Sequence, residues 1–330
     1  MDSRDRKIAR TMIGKVPVPS GFRVVKVADV TQLGDVLAFT LVSADAAPLP
    51  RWEAGAHVDL MLDDGLIRQY SLCGDPMDSD RYQLAVLLDP QSRGGSRVVH
   101  DRVRTGAILR IGPPRNLFPL DPRARCSILI GGGIGITPLI AMAYELQRAG
   151  QDFTLHYISR DPVFAEFLTR APFVKSLVVH HRGKTDAPRF DPISALGDHD
   201  RETHVYCCGP LSLMNAVTDA GKTLGYADDV LHQEAFSAQP VIGGDAFTVL
   251  AARSDVRVIV GDSESVATAL KRAGVSVHLN CEQGICGTCV ATVIEGEPDH
   301  RDEYLTSEER ADQIVLCCSR SKTPLLVLDL

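Results

Sequence analysis

The spacing of hydrophobic positions changes character three times along the chain. From Gly21 to about Leu120 the apolar residues come in short runs separated by turns. Phe22–Val27, Val36–Leu41, His57–Leu62 and Tyr82–Leu88 read as strands, with a turn expected at Asp63-Asp64-Gly65. Short strands with frequent turn signals predict a small antiparallel barrel. At Cys126-Ser127-Ile128-Leu129-Ile130 the run becomes continuously apolar, as in a parallel strand buried on both faces. It enters Gly131-Gly132-Gly133-Ile134-Gly135-Ile136-Thr137-Pro138 and then a helical pattern that ends at Gly150. Strands at Phe153–Ile158, Leu177–His181 and His204–Cys208 alternate with helical stretches, which predicts a parallel α/β unit. After Ser237–Gly244, where Pro and a Gly pair interrupt all periodicity, come a hairpin (Phe247–Ala251, Arg257–Val260), a helix over 265–273, a strand at Val290–Ile294 and a closing strand at Leu325–Leu328.

The divisions this implies are 1–122, 123–236, a linker over 237–245, and 246–330. Ligands in parallel α/β sheets bind beyond the carboxyl ends of the strands. That groups Gly131–Thr137, Ser159, Arg160 and Cys207–Pro210 around one crevice. A strand that runs through a glycine turn into a helix brings a pyrophosphate to the helix N-terminus, and Pro138 suits its first turn. The run is not G-x-G-x-x-G, so a tight βα turn without ligand is the competing reading. In the first third, Arg68 and Tyr70 of Arg68-Gln69-Tyr70-Ser71-Leu72 share a strand face and suit a phosphate and a planar ring. Ser92-Arg93-Gly94-Gly95-Ser96 reads as a turn with unhindered N–H groups, or as a plain surface turn. His180 and His181 read as ordinary strand-end residues, and Cys207 and Cys208 as small buried hydrophobes.

The strongest chemical signal is Cys281-Glu282-Gln283-Gly284-Ile285-Cys286-Gly287-Thr288-Cys289, with Cys317 and Cys318 downstream. C-x4-C-x2-C is the plant-type spacing for a 2Fe–2S cluster, which needs four thiolates. Small residues let a tight loop aim N–H groups at sulfur. A zinc site and a disulfide framework are the alternatives; zinc commonly takes paired C-x2-C units, and only one such unit is present.

Composition narrows the field. The 330 residues are 45% hydrophobic and 23% charged, the pattern of an ordinary globular protein. No apolar run reaches membrane-span length, and the charged start Met1-Asp2-Ser3-Arg4-Asp5-Arg6-Lys7 has no hydrophobic stretch after it, so neither a span nor a signal peptide is expected. Nine cysteines without such a signal point to a reducing, cytoplasmic setting. A net charge of −7 argues against nucleic acid. Residues 238–330 hold 14 acidic and 8 basic side chains, so nearly all the excess lies with the cysteine array. That suits either a solvated surface or a face that steers toward a basic partner.

Taken in order, Arg68–Cys73, Gly94-Gly95-Ser96, Pro114–Leu120, Gly132–Pro138, Tyr206-Cys207-Cys208-Gly209-Pro210, Cys281–Cys289, Gly296–Asp302 and Leu325–Leu330 resemble the phthalate dioxygenase reductase and vanillate O-demethylase reductase family. The resemblance covers the chain beyond its first twenty residues. It implies three modules: a flavin barrel, a nicotinamide-binding α/β domain and a plant-type ferredoxin of β-grasp fold. It implies FMN rather than FAD, held by Arg68, Tyr70, Ser71, Leu72, Gly94, Gly95 and Ser96, with Phe236 packing by the flavin or serving as a core residue beside the linker. It implies NADH, held by Gly132, Gly133, Ile134, Gly135, Thr137, Cys208, Gly209 and Pro210. Arg160 joins that set, although an Arg there could equally face the 2′-phosphate of NADPH. Ser71 and Cys208 are the side chains it sets nearest the reacting atoms, as the catalytic pair. Cys281, Cys286, Cys289 and Cys317 become the cluster ligands. Cys318 takes a variable position, and strand periodicity, which turns neighbours to opposite faces, favours choosing one of the two.

Electron counting orders the cofactors. NADH gives a hydride, a cluster takes one electron, and a flavin mediates between them. The implied partner is a Rieske-type oxygenase, outside whose complex the chain is expected to be a monomer. The rivals are a reductase for a haem monooxygenase and a non-catalytic cluster protein.

Overall fold

The structure is a computed structural model that describes residues 21–45, 47–62, 66–90, 94–182, 189–197, 202–236, 243–279 and 281–330. The N-terminal charged stretch, the turn expected at Asp63-Asp64-Gly65, Ser92, Arg93 and the expected linker residues 237–242 lie outside the described residues. The chain divides into two compact units, Met1–Phe236 and Ser237–Leu330.

The first unit holds two sheets. Strands β1 (Arg23–Leu33), β2 (Val36–Ser43), β3 (Ala56–Met61), β4 (Ile67–Ser71), β5 (Arg81–Leu87), β6 (Ile108–Ile111) and the short β7 (Arg115–Asn116) form an antiparallel sheet in the order β4-β3-β6-β1-β2-β5, with β7 on β3. The sheet curls until its edges meet: the Cys73 N–H, just past β4, donates to Gln83 O in β5 at 2.9 Å. Alternation drives the curl. Val25, Val27, Phe39, Leu41, Val58, Leu60 and Leu84 turn inward and are buried, each stabilising the fold by about 2 kcal/mol as area removed from water. Helix α1 (Gly95–Arg102) follows β5. Gly94-Gly95-Ser96, expected as a turn with unhindered N–H groups or as a plain surface turn, is instead a helix start. Gly94 adopts φ 93° and caps the helix, and Gly95 and Ser96 form its first turn.

The second sheet is parallel. Strands β8 (Cys126–Gly132), β9 (Asp152–Ser159), β10 (Leu177–His181), β11 (Thr203–Cys208) and β12 (Leu231–Glu234) lie in the order β10-β9-β8-β11-β12. Helices α2 (Ile136–Ala149), α3 (Ala165–Leu168), α4 (Pro192–Leu196) and α5 (Leu211–Leu224) make the connections. The order reverses between β8 and β11, the switch point where such sheets open a crevice. One apolar core runs from the curled sheet (Leu60, Leu72, Leu84) to α2 and β11 (Leu139, Met142, Cys208).

The second unit is a mixed sheet in the order β14-β13-β19-β15-β17. Its strands are β13 (Phe247–Ala251), β14 (Val256–Val260), β15 (Val290–Glu295), β17 (Gln313–Val315) and β19 (Leu325–Leu328), with the short pair β16 (Pro298–Asp299) and β18 (Arg320–Ser321) beside it. A hairpin, a parallel closing strand and helix α6 (Val266–Arg272) give the expected β-grasp pattern. Ser265 caps α6, accepting the Thr268 N–H at 3.1 Å.

Candidate redox centres

In the second unit the segment between α6 and β15 gathers the cysteines. Cys281, Cys286, Cys289 and Cys317 are all buried and unpaired. Cys281 lies near enough to Cys286 and Cys317, and Cys317 to Cys289, for the thiols to perturb one another's ionisation. Those contacts push Cys281 and Cys289 toward thiolate and Cys286 and Cys317 toward thiol. Four sulfurs within reach of one another are what a four-thiolate cluster requires. The loop fits around them because three residues take left-handed backbone: Glu282, Gly284 and Gly287 at φ 53°, 76° and 66°. A Cβ on Gly287 would lie 2.0 Å from the Tyr304 ring, and one on Gly284 2.6 Å from Cys318 Sγ. The Gln283 N–H donates to Cys281 Sγ at 3.3 Å, as a cluster loop should. Buried Asp302 supports the loop from below, accepting from the Leu305 N–H at 2.9 Å and from Ser319 Oγ at 3.2 Å. Strand periodicity does not separate Cys317 from Cys318, contrary to expectation. β17 ends at Val315, residues 316–318 form a turn, and both thiols are buried.

In the first unit two expected segments meet. Arg68, on β4, lies across Gly95 at the head of α1, where a Cβ would come within 2.7 Å of the Arg68 Cγ and Nε. A guanidinium beside a helix N-terminus is a phosphate cradle. Tyr70 is half-buried, its phenol pushed up to about 12 by burial. Ser71 and Leu72 are buried. Ser71 pairs across the sheet with His57, an unexpected neighbour whose ring burial holds near 4 and whose Nε2 has no hydrogen-bond partner among the described residues.

At the switch point Gly131, Cys208 and Glu234 stand in one cross-strand row. The glycine turn presses on the next loop. A Cβ on Gly135 would lie 2.4 Å from Cys208 O, and one on Gly132 2.8 Å from Pro210 Cδ. Gly133 takes φ 58° and opens to free space. Thr137 Oγ1 donates to Ile134 O at 2.9 Å, tying the turn to α2. Cys208 is fully buried and its thiol is pushed well up by burial. Glu234 was not foreseen. Burial lifts its carboxyl to about 8, and its Oε2 is sheltered without a partner among the described residues. Nothing in Leu231-His232-Gln233-Glu234 marks it, because its role depends on the register with Cys208. Arg160 lies exposed past β9, and Phe236, exposed by 41%, stands at the end of the unit. His180 is not a plain strand end, for its Nε2 meets His156 Nδ1 at 3.0 Å.

Residues 250–322 match the family model of the 2Fe-2S iron-sulfur cluster binding domain. The chain is 44% identical over 303 residues to the vanillate O-demethylase oxidoreductase of Pseudomonas sp. (strain HR199 / DSM 7063), covering 90% of this chain and 96% of that one. The chain belongs to the family of vanillate O-demethylase oxidoreductase and phthalate dioxygenase reductase. Membership makes it an oxidoreductase with a 2Fe–2S domain at its C-terminal end. The family extends to the carnitine monooxygenase reductase subunit of Escherichia coli (strain K12), 41% identical over 93% of this chain and 98% of that one. Among solved structures, phthalate dioxygenase reductase, described as a modular structure for electron transfer from pyridine nucleotides to [2Fe-2S], matches with a TM-score of 0.69 at 38% identity, covering 94% of this chain and 98% of that one. An intact type IV self-sufficient cytochrome P450 monooxygenase matches with a TM-score of 0.83 at 38% identity, covering 96% of this chain and 43% of that longer one. Within the family, then, this architecture occurs both as a separate reductase and fused to a haem oxygenase. Among the described residues no helix is long and apolar enough to cross a membrane.

Proposed function

We propose that the chain is the NADH-dependent reductase component of a two-component oxygenase or O-demethylase, working through FMN and a 2Fe–2S cluster to a Rieske-type partner. The gathering of Cys281, Cys286, Cys289 and Cys317 in one buried loop carries this proposal, because a cluster there makes no product of its own. Bound together, the three groups would turn a two-electron hydride donor into a source of single electrons.

The residues then divide the work. Arg68 and the amide groups of Gly95 and Ser96 at the head of α1 hold the FMN phosphate, while Tyr70, Ser71 and Leu72 line its ring, with Gly94 shaping the turn and Phe236 closing the far side. Gly132–Gly135 and Thr137 hold the dinucleotide at the switch point, with Gly209, Pro210 and Arg160 on its rim. Cys208, kept neutral at physiological pH by burial, would adjoin the nicotinamide without adding charge, and Ser71 would be the side chain offered to the flavin's reacting edge. Glu234 is protonated near neutrality and has an unpartnered Oε2 to offer a polar substituent of the nicotinamide. Domains of 1–122, 123–236 and 246–330, joined by 237–245, correspond to these three tasks. Nine cysteines, four of them gathered in one buried loop, support a reducing compartment, the cytoplasm. A monomer outside the oxygenase complex is the expected state.

The fused P450 relative supports a second reading, in which the acceptor is a haem oxygenase. One experiment addresses both. The loaded protein is mixed with NADH or NADPH and with a purified Rieske oxygenase or a P450, and reduction of each acceptor is followed optically. Faster reduction of the Rieske centre, with NADH preferred, is expected. Reduction of the haem alone would favour the second reading, and failure to reduce even cytochrome c would overturn both.

A further inference from the structure

At the end of the parallel sheet away from the crevice, three donor side chains converge that the redox reading does not use. His204 is the second residue of β11 and His232 the second of β12, while Asp121 lies in the segment that leads from β7 to β8. His204 Nδ1 and His232 Nε2 are 2.9 Å apart. The rings are within 13° of parallel with centroids 5.1 Å apart, so the contact is an in-line N–H···N bond between ring edges rather than a face stack. Asp121 Oδ2 is 3.9 Å from His204 Nδ1, and one ligand atom from each of the three residues lies within 4.8 Å of the others. His204 is 2% exposed, and the other two are half-buried.

The arrangement is braced from outside. The Asp121 backbone N–H donates to Tyr206 Oη at 2.7 Å, and His232 stacks on the Tyr206 ring with centroids 4.5 Å apart. A cation already attends the site: Arg123 grips Asp121 at 2.6 Å and reaches Asp229 at 3.8 Å. Its side chain is 67% exposed and can swing into solvent.

We propose that Asp121, His204 and His232 form a divalent-metal site, separate from the cysteine loop, that takes a borderline cation such as Zn2+. Two imidazoles and one carboxylate, with water in the fourth position, are a common donor set for it. The metal takes the place of the proton between the imidazoles. That proton moves to the far nitrogen of the same ring, so both rings bind neutral and none is lost. Metal–nitrogen bonds of about 2.0–2.1 Å in tetrahedral geometry need the two nitrogens roughly 3.3 Å apart, a small opening from their present contact. Arg123 leaves Asp121 and stays beside Asp229. The bound metal fastens the β7–β8 segment to β11 and β12. His204 stands four residues from Cys208 along β11, about 13 Å at the rise of a strand, too far for the metal to touch the Cys208 end of the sheet.

The test uses untagged protein with flavin and cluster loaded, titrated with Zn2+ alone by calorimetry and with Co2+ by visible absorption. One saturable equivalent is expected, with the absorption of tetrahedral Co2+. His232→Gln and Asp121→Asn should each weaken binding at least about tenfold, and Arg123→Gln, which removes the competing cation, should tighten it roughly tenfold. Unchanged flavin and cluster spectra confirm that each variant is folded. Absence of saturable binding in both the parent and Arg123→Gln would overturn the proposal. So would binding that survives His232→Gln undiminished.

Discussion

Single residues carry the sharpest tests. Cys317 and Cys318 are neighbours in a buried turn, yet it is Cys317 whose thiol is coupled electrostatically to Cys281 and Cys289. Cys318 instead packs against Gly284 and donates to Val315 O at 3.9 Å. Cys317→Ser is therefore expected to abolish the visible absorption of the cluster and its bound iron, while Cys318→Ala keeps both. The reverse outcome would assign the fourth ligand to Cys318. Glu234 makes a pH prediction. Its carboxyl rises from 4.5 unfolded to about 8 folded, so the folded state holds a proton that the unfolded state has lost. Stability of the first unit must then fall as pH rises across that window, by at most about 1.4 kcal/mol per pH unit. His57 and His156, both lowered to about 4 from 6.5, act in the opposite sense, as do His180, His204 and His232, which burial also lowers, and these contributions fade only as the unfolded imidazoles lose their protons above 6.5. Denaturant unfolding of the parent and of Glu234→Gln between pH 6.5 and 8 isolates Glu234 in the difference, because the histidine contributions are common to both. The parent should lose stability relative to the variant as pH rises, and a difference that stays constant would place the origin elsewhere.

Elements depend on close approaches that only certain residues permit. The glycine turn can press on the β11 loop because Gly135 has no side chain; Gly135→Ala would set a methyl 2.4 Å from Cys208 O. We expect it to cost about 2 kcal/mol of stability and to weaken pyridine nucleotide binding about tenfold, read by unfolding and by nucleotide titration. In the second unit, buried Arg320 donates to the carbonyls of Gly244, Asp245, Gly261 and Glu264 and stacks over Phe247. Removing it strands four acceptors, so Arg320→Ala should destabilise that unit by about 3 kcal/mol or more, seen as an earlier loss of cluster absorption on heating. These two cases show what could be read from the chain itself. The glycine run, the strand periods and the cysteine spacing were legible because each is local. Strands β8, β9, β11, β13 and β15 stand within two residues of where their apolar runs place them. Helix α1 was not legible, since Gly94-Gly95-Ser96 has the composition of a turn and becomes a helix start only through the left-handed Gly94. Glu234, His57 and the His204–His232 pair were not legible either. Each is defined by a neighbour on another strand, and cross-strand register is not written in either strand alone.

At the scale of the whole molecule, charge is the property still to be connected with function. The chain carries −7, and 14 acidic against 8 basic side chains fall in residues 238–330. Some of that charge borders the thiol loop. Glu282 lies within it and is exposed, and Glu303 is exposed while its backbone N–H donates to Gly284 O at 3.1 Å. Electrons leave by the route that brings the partner nearest the cluster, so these carboxylates stand where a basic partner would dock. Attraction of this kind acts on the rate of encounter and is screened by salt: the Debye length shrinks from about 10 Å at 0.1 M to about 3 Å at 1 M. Stopped-flow reduction of the oxygenase should therefore slow roughly tenfold across that range. Reduction of the protein's own flavin by NADH is an internal event once the nucleotide is bound, and at saturating NADH it should change little. The double variant Glu282→Lys/Glu303→Lys should lose about tenfold in the partner step at low salt and become nearly insensitive to salt, with flavin reduction intact. If both proteins reduce the oxygenase equally fast at every ionic strength, the acidic excess serves solubility alone, and docking must be sought on a surface without these two carboxylates.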